Sequence, residues 1–249
     1  MKKRALRKDF YMEIRKSLGR FLSIFFIVAM GVAFFSGIRA SEPDLRYSGD
    51  AYFDRNHLMD LKVMGTLGLT ENDVQAIRSL EGVAQAEPGY SADVMVERDG
   101  NQKVLHVSSI LDSMNQYTVE EGRMPKKDGE CLIDQDFIQG SGLKVGDEIT
   151  LISGTKDPVT DTFTKETFRI VGAGSSPEYI SFHRGSSMIG NGEVSGFLAV
   201  PKESFVTEAY TECYVSVEGA EEETAFTEEY DQKVEKVAER IESIGERQG

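Results

Sequence analysis

The sequence predicts an α+β protein held in a membrane: one N-terminal transmembrane helix, a mixed or antiparallel-sheet extracytoplasmic domain, and a C-terminal coiled-coil-like helix. Three observations carry this expectation. Residues 21–38 are an uncharged apolar run. The segments after them alternate as short strands separated by frequent turns, and strands outnumber helical patterns. Beyond residue 220 the turn residues give way to Glu, Lys and Ala in a heptad rhythm.

The chain opens on charge. Residues 1–20 hold eight basic side chains (Lys2, Lys3, Arg4, Arg7, Lys8, Arg15, Lys16 and Arg20) against Asp9 and Glu13, a net +6. With −14 over all 249 residues, the remainder carries −20. A body this acidic repels phosphates instead of releasing their counterions, which argues against a nucleic-acid partner. Composition is otherwise globular, 40% hydrophobic and 28% charged, enough to bury a core in one or two domains.

The apolar run FLSIFFIVAMGVAFFSGI makes a helix roughly 27 Å long, sufficient with its flanks to cross a hydrocarbon layer of about 30 Å. Phe21, Ile24, Phe25, Ile27, Val28, Phe34 and Ile38 supply apolar surface. Ala29, Ala33 and Gly37 recur every fourth residue, a stripe able to seat another helix or protomer. The basic flank stays in the cytoplasm by the positive-inside rule, which puts residues from Arg39 onward outside. The stretch FYMEIRKSLGRF has an amphipathic cast suited to lie along anionic lipid headgroups. A cleaved signal peptide is the alternative. The long basic region, an apolar run beyond the usual 7–15 residues, and Arg39 beside the available cleavage point after Ala40 all favour an uncleaved anchor.

From Ser41 to about Gly65 the pattern is irregular, with Pro43 and Gly49, and reads as a connection with one strand near Leu61–Met64. Thr70–Leu80 reads as a helix: Thr70 caps it, Asp73 completes a capping box, Leu69 and Val74 form a staple, and Gly82 stops it. A loop through Pro88-Gly89 precedes two alternating runs, Ala92–Glu97 and Lys103–Ser108, joined across Asp99-Gly100 as a hairpin. Further strands are expected at Glu130–Ile133, Glu148–Ile152, Thr167–Val171, Val194–Val200 and Glu212–Val217. Short helices are expected at Asp134–Ile138 and after Pro201, and no internal repeat is visible.

The tail completes the outline. Tyr230, Val234, Val237, Ile241 and Ile244 are spaced by four, three, four and three residues, a heptad seam on a helix expected from Glu222 to Ile244. Two heptads are too few to stand alone, so the seam is expected to meet a following helix or another protomer; packing back on its own domain is the alternative.

Motifs for bond chemistry are lacking. His57, His106 and His183 are far apart and none has a ligand partner at helical spacing, so no metal site is expected. The run His183–Gly190 invites a serine-nucleophile reading, but Ile189 stands where GxSxG needs its second glycine. Gly190-Asn191-Gly192 misses GxGxxG, with Ser195 in the last glycine's place, and no GxxxxGK[ST] occurs. A flexible loop is the better reading of this stretch. No enzyme activity, cofactor or catalytic residue is expected. Cys131 and Cys213, the two cysteines, suit either a disulfide outside the cell or two buried free thiols in strands.

Several motifs in order carry a resemblance. Lys8-Asp9-Phe10, Ile14-Arg15-Lys16-Ser17 and Gly19-Arg20-Phe21-Leu22-Ser23-Ile24 open the chain. Gly68-Leu69-Thr70 to Gly82-Val83, Glu121-Gly122-Arg123-Met124-Pro125, Gly129-Glu130, Gly142-Leu143-Lys144-Val145-Gly146-Asp147, Ile170-Val171-Gly172 and Ser176–Ser181 follow. Together they resemble the N-terminal portion of the FtsX-like (MacB-like) ABC transporter permeases of Gram-positive bacteria. The resemblance implies a basic cytoplasmic segment over 1–20, a transmembrane helix over 21–38, a MacB-like extracytoplasmic core domain over 39–220, and the start of a stalk or coiled-coil helix over 221–249. It implies a membrane-spanning permease subunit coupled to a separate cytoplasmic ABC-type ATPase, with membrane lipids and further permease helices or protomers as partners. Members of that family continue into at least three more membrane helices, so a piece of a longer permease is implied. The rival expectation is a single-span sensor or adaptor whose outer domain captures a ligand without any ATPase.

Overall fold

The computed structural model describes residues 10–12, 15–98, 100–181 and 183–248. Most of the basic opening, Lys2 to Asp9 with Glu13 and Ile14, and Asp99 of the hairpin turn therefore lie outside the described residues. The chain divides into two units, Met1–Gly49 and Asp50–Gly249.

Helix α1 (Leu18–Arg55) contains the apolar run and is, among the described residues, the one helix long and apolar enough to cross a membrane. Its 38 residues exceed the expectation, because residues 41–55 are helical rather than an irregular connection. Pro43 has no N–H to give the ladder, and its ring crowds the carbonyl of Arg39 one turn back. Either side of it, Ser41 and Ser48 donate back to the carbonyls of Gly37 and Asp44, each at 2.7 Å. Once a helix is nucleated, its cooperativity carries it past one missing bond.

The second unit holds two sheets. The smaller has the order β1 (Leu61–Leu69), β10 (Tyr210–Val217), β2 (Val83–Gly89), all antiparallel. The larger runs β3 (Ser91–Arg98), β4 (Asn101–Ser109), β9 (Val194–Val200), β6 (Glu130–Asp134), β8 (Thr167–Ser175), β5 (Thr118–Gly122), with β7 (Glu148–Thr150) also on β8. Pairs β4–β9 and β6–β8 are parallel and the rest antiparallel, so the sheet is mixed, as the sequence predicts. Strands β2 and β5 occupy stretches read from sequence as a loop and a turn.

Local chemistry explains the helices. In α2 (Glu71–Arg78), Asp73 N donates to Thr70 Oγ1 at 3.3 Å and Thr70 N donates to Asp73 Oδ2 at 2.7 Å, the reciprocal capping box. Asp134 caps α3 (Gln135–Ser141) by accepting from Asp136 N at 3.0 Å, and Gly142 ends it in a left-handed conformation (φ +70°). The helix expected after Pro201 is a single 3-10 turn, Lys202–Ser204. Gly172 of β8 is required for a different reason: a Cβ there would lie 2.3 Å from Arg123 O.

Two large apolar cores form, with two smaller buried clusters around Leu111, Met114 and Tyr214 and around Leu132, Phe197 and Ala199. Phe163, Phe168, Ile170, Leu198 and Ile133 fill the larger core. Val74, Ile77, Cys213 and Val215 fill the smaller core. Cys131 is buried in the first and Cys213 in the second, both free, which corrects the disulfide alternative: each thiol is enclosed by its own core. Burial pushes both thiols up, Cys213 to about 11.

The C-terminal helix α4 (Glu228–Gln248) starts later than Glu222, after Thr227, whose hydroxyl accepts from Tyr230 N at 3.4 Å. Its seam forms no heptad pair with another long helix among the described residues, and meets instead the small core and the short helix α2. Val237 (2% exposed) and Ile241 (9%) sit in the small core with Val74, Ile77 and Val217, and Tyr230 and Val234 pack against it; Ile244 is half-buried. Coiled-coil pairing is therefore not what the structure displays. The narrow apolar stripe fits the small core beside α2, a contact available without the entropy cost of association.

Candidate functional site

Asp60 N donates to Val215 O at 2.9 Å, and Leu61 pairs with Val215, so β1 begins where β10 ends, at one end of the small sheet. A cleft of about 680 Å³ opens there, between residues 50–60 and residues 216–230. Its wall is acidic: Asp50, Asp54, Asp60, Glu218, Glu221, Glu222 and Glu223. Phe53 and Phe226 meet edge to face, ring centroids 6.0 Å apart at 67°. Phe226 holds φ +65° with its side chain 66% exposed.

Hydrogen bonds clasp the two walls together. Ala225 N donates to Asp50 Oδ1 at 2.7 Å. The Tyr230 hydroxyl donates to Asp60 Oδ1 at 2.6 Å, and Val217 N donates to Asp60 Oδ2 at 2.7 Å. Burial raises the Asp60 carboxyl above its ordinary value, opposed by those two donors and reinforced by Glu221. Asp54 is also raised, by burial first and then by Asp50, Glu221 and Asp60, with His57 acting the other way. Carboxylates beside aromatic faces suit a cation with an apolar body.

The stretch that invites a nucleophile reading is organised differently from a catalytic triad. Ser187 Oγ donates to Asp93 Oδ2 at 2.6 Å, and His106 Nδ1 lies 2.7 Å from Asp93 Oδ1. The carboxylate thus stands between serine and histidine, whereas proton transfer from serine needs the imidazole in the middle. These bonds also lower the Asp93 carboxyl despite its burial, which weakens it as a base. The trio fastens the loop before β9 onto the β3–β4 hairpin. His57 lies in the cleft and His183 on an exposed loop, and among the described residues no group of three or more His, Cys, Asp or Glu could hold a metal ion.

Of the residues singled out for the membrane, Phe21, Ile24, Phe25, Ile27, Val28, Phe34 and Ile38 are all exposed on α1, as are Ala33 and Gly37, with Ala29 half-buried. The cleft residues were not found from sequence. Their signal was present in the acidic clusters of residues 50–60 and 218–223, but only the β1–β10 pairing brings the two together.

A family model described as MacB-like periplasmic core domain matches residues 18–233. No curated protein matches the chain. Among solved structures, the extracellular domain of the noncanonic ABC-type transporter YknZ from Gram-positive bacteria is similar at 12% identity and TM-score 0.40, covering 68% of this chain and 80% of that one. The periplasmic region of MacB from Actinobacillus actinomycetemcomitans is similar at 11% identity and TM-score 0.39, covering 74% and 76%. A permease-protein domain from Porphyromonas gingivalis gives 13% identity and TM-score 0.34, covering 70% and 78%. Likeness this loose says nothing about activity.

Proposed function

The chain belongs to the MacB-like periplasmic core domain family, and from that premise we propose that it is a permease-type component of an ABC transporter. Residues 1–20 lie in the cytoplasm and residues 21–38 cross the membrane. Residues 39–220 form the extracytoplasmic core domain, and residues 221–249, whose helix α4 packs on the small core of that domain, are the start of a stalk. A separate cytoplasmic ATPase supplies the motion, and the outer domain answers it mechanically, without bond chemistry of its own.

The single observation that carries this reading is the extent of the family match, which takes in the apolar helix and the outer domain as one stretch, residues 18–233. Basic residues support the orientation: eight Lys or Arg stand in residues 1–20 against Arg39, Arg46 and Arg55 in residues 39–58.

Gentle purification of the full chain from its native membrane tests the proposal. We expect a P-loop ATPase with an ABC signature to co-purify, and its ATP hydrolysis to change when the outer domain is perturbed. Recovery of a ligand-binding outer domain with no such ATPase would replace this reading with a single-span sensor or adaptor.

A further inference from the structure

We infer that the Asp60 carboxylate is a latch that couples the entry segment of the outer domain to α4. It follows α1 by five residues and immediately precedes β1. One oxygen accepts from Val217 N at the end of β10, and the other accepts from the Tyr230 hydroxyl in the first turn of α4. A single half-buried side chain therefore joins the incoming segment, the last strand and the outgoing helix.

The remaining holds on α4 have a different destination. Val237 and Ile241 enter the small core, Lys233 Nζ donates to Gly219 O at 2.8 Å, and Arg240 bonds Glu81 O. Those contacts seat α4 on the body of the domain, whereas Tyr230 ties it to residues 50–60. Displacing the entry segment loosens the first turn of α4, and by reciprocity loosening α4 at Tyr230 frees the entry segment. The purpose of such a latch, passing movement across the domain, rests on the transporter reading; its existence does not.

Hydrogen exchange on the full chain in lipid nanodiscs tests the coupling. Tyr230→Phe keeps the ring and removes the donor. We expect amide exchange to rise about tenfold both in residues 228–234 and in residues 56–60, with β4 unchanged. Asp60→Asn should do the same, and the double variant should go no further than the larger single effect. Val237→Ala loosens α4 two turns beyond the latch, so it should speed residues 235–245 and leave residues 228–234 and 56–60 unaltered. Acceleration confined to α4 in Tyr230→Phe, or equal acceleration of residues 56–60 in Val237→Ala, would overturn the latch. If the coupling is found and no ATPase partner is, the transporter reading fails and the latch stands.

Discussion

Arg123 grips Glu130 through both terminal guanidinium nitrogens, Nη1 and Nη2, each 2.7 Å from a carboxylate oxygen, and Lys126 N adds a third donor at 3.0 Å. These donors, Arg123 foremost, hold the Glu130 carboxyl at about 2, below its ordinary 4.5. A folded-state value below the unfolded one means stability that is present above pH 4.5 and lost as pH falls toward 2. Glu130→Gln should therefore lower the urea midpoint at neutral pH, with the gap to the parent closing below pH 4.5. A gap that stays constant with pH would show that the pair contributes through packing alone.

Topology is open to chemical labelling. With Cys131 and Cys213 replaced by Ala, a cysteine at Ser48 should react with an impermeant thiol reagent on intact cells and one at Ser17 should not. The reverse pattern would invert the chain.

The burial of the seam residues makes α4 part of the cooperative domain. Ile241→Ala should cost about 2–4 kcal/mol in denaturant unfolding, and amides from 234 to 241 should be protected in the monomer. Fast exchange there would mean that the helix needs a second chain after all.

At α2 the expectation is smaller and sharper. Thr70→Ala removes the hydroxyl half of the capping box and should cost about 1 kcal/mol, whereas Thr70→Ser should cost little. Equal losses would point to the methyl group, not the hydroxyl.

What the sequence revealed was whatever local chemistry decides. The Thr70 and Asp73 side chains sit within one helical turn of each other, the hairpin turns at Gly100 with positive φ between two alternating runs, and β9 (Val194–Val200) is apolar apart from Ser195 and Gly196. The misses came where partners decide. Pro88 and Gly89 look like strand breakers, yet β2 is an edge strand that pairs only with β10, so a missing donor is tolerated there. Strand β5 is polar for the same reason, lying at the edge of the larger sheet. The heptad rhythm includes Val237 and Ile241, which are buried, with Tyr230, Val234 and Ile244 half-buried, but a period does not say what covers a face. The cleft was illegible because its two walls are far apart in sequence and meet only after the small sheet has formed.

Strand order also sets a timetable. Strand β9 lies between β4 and β6, and β10 lies between β1 and β2, so the central strand of each sheet comes from residues 194–217. His106 pairs with Phe197 across about ninety residues, a long loop to close before that contact stabilises anything. As the chain is synthesised, its earlier strands wait with open edges until this late stretch arrives, and they are exposed to proteases and to mispairing for that interval. A chain interrupted before Val194 would lack both the strand that joins β3–β4 to β6–β8–β5 and the strand that joins β1 to β2.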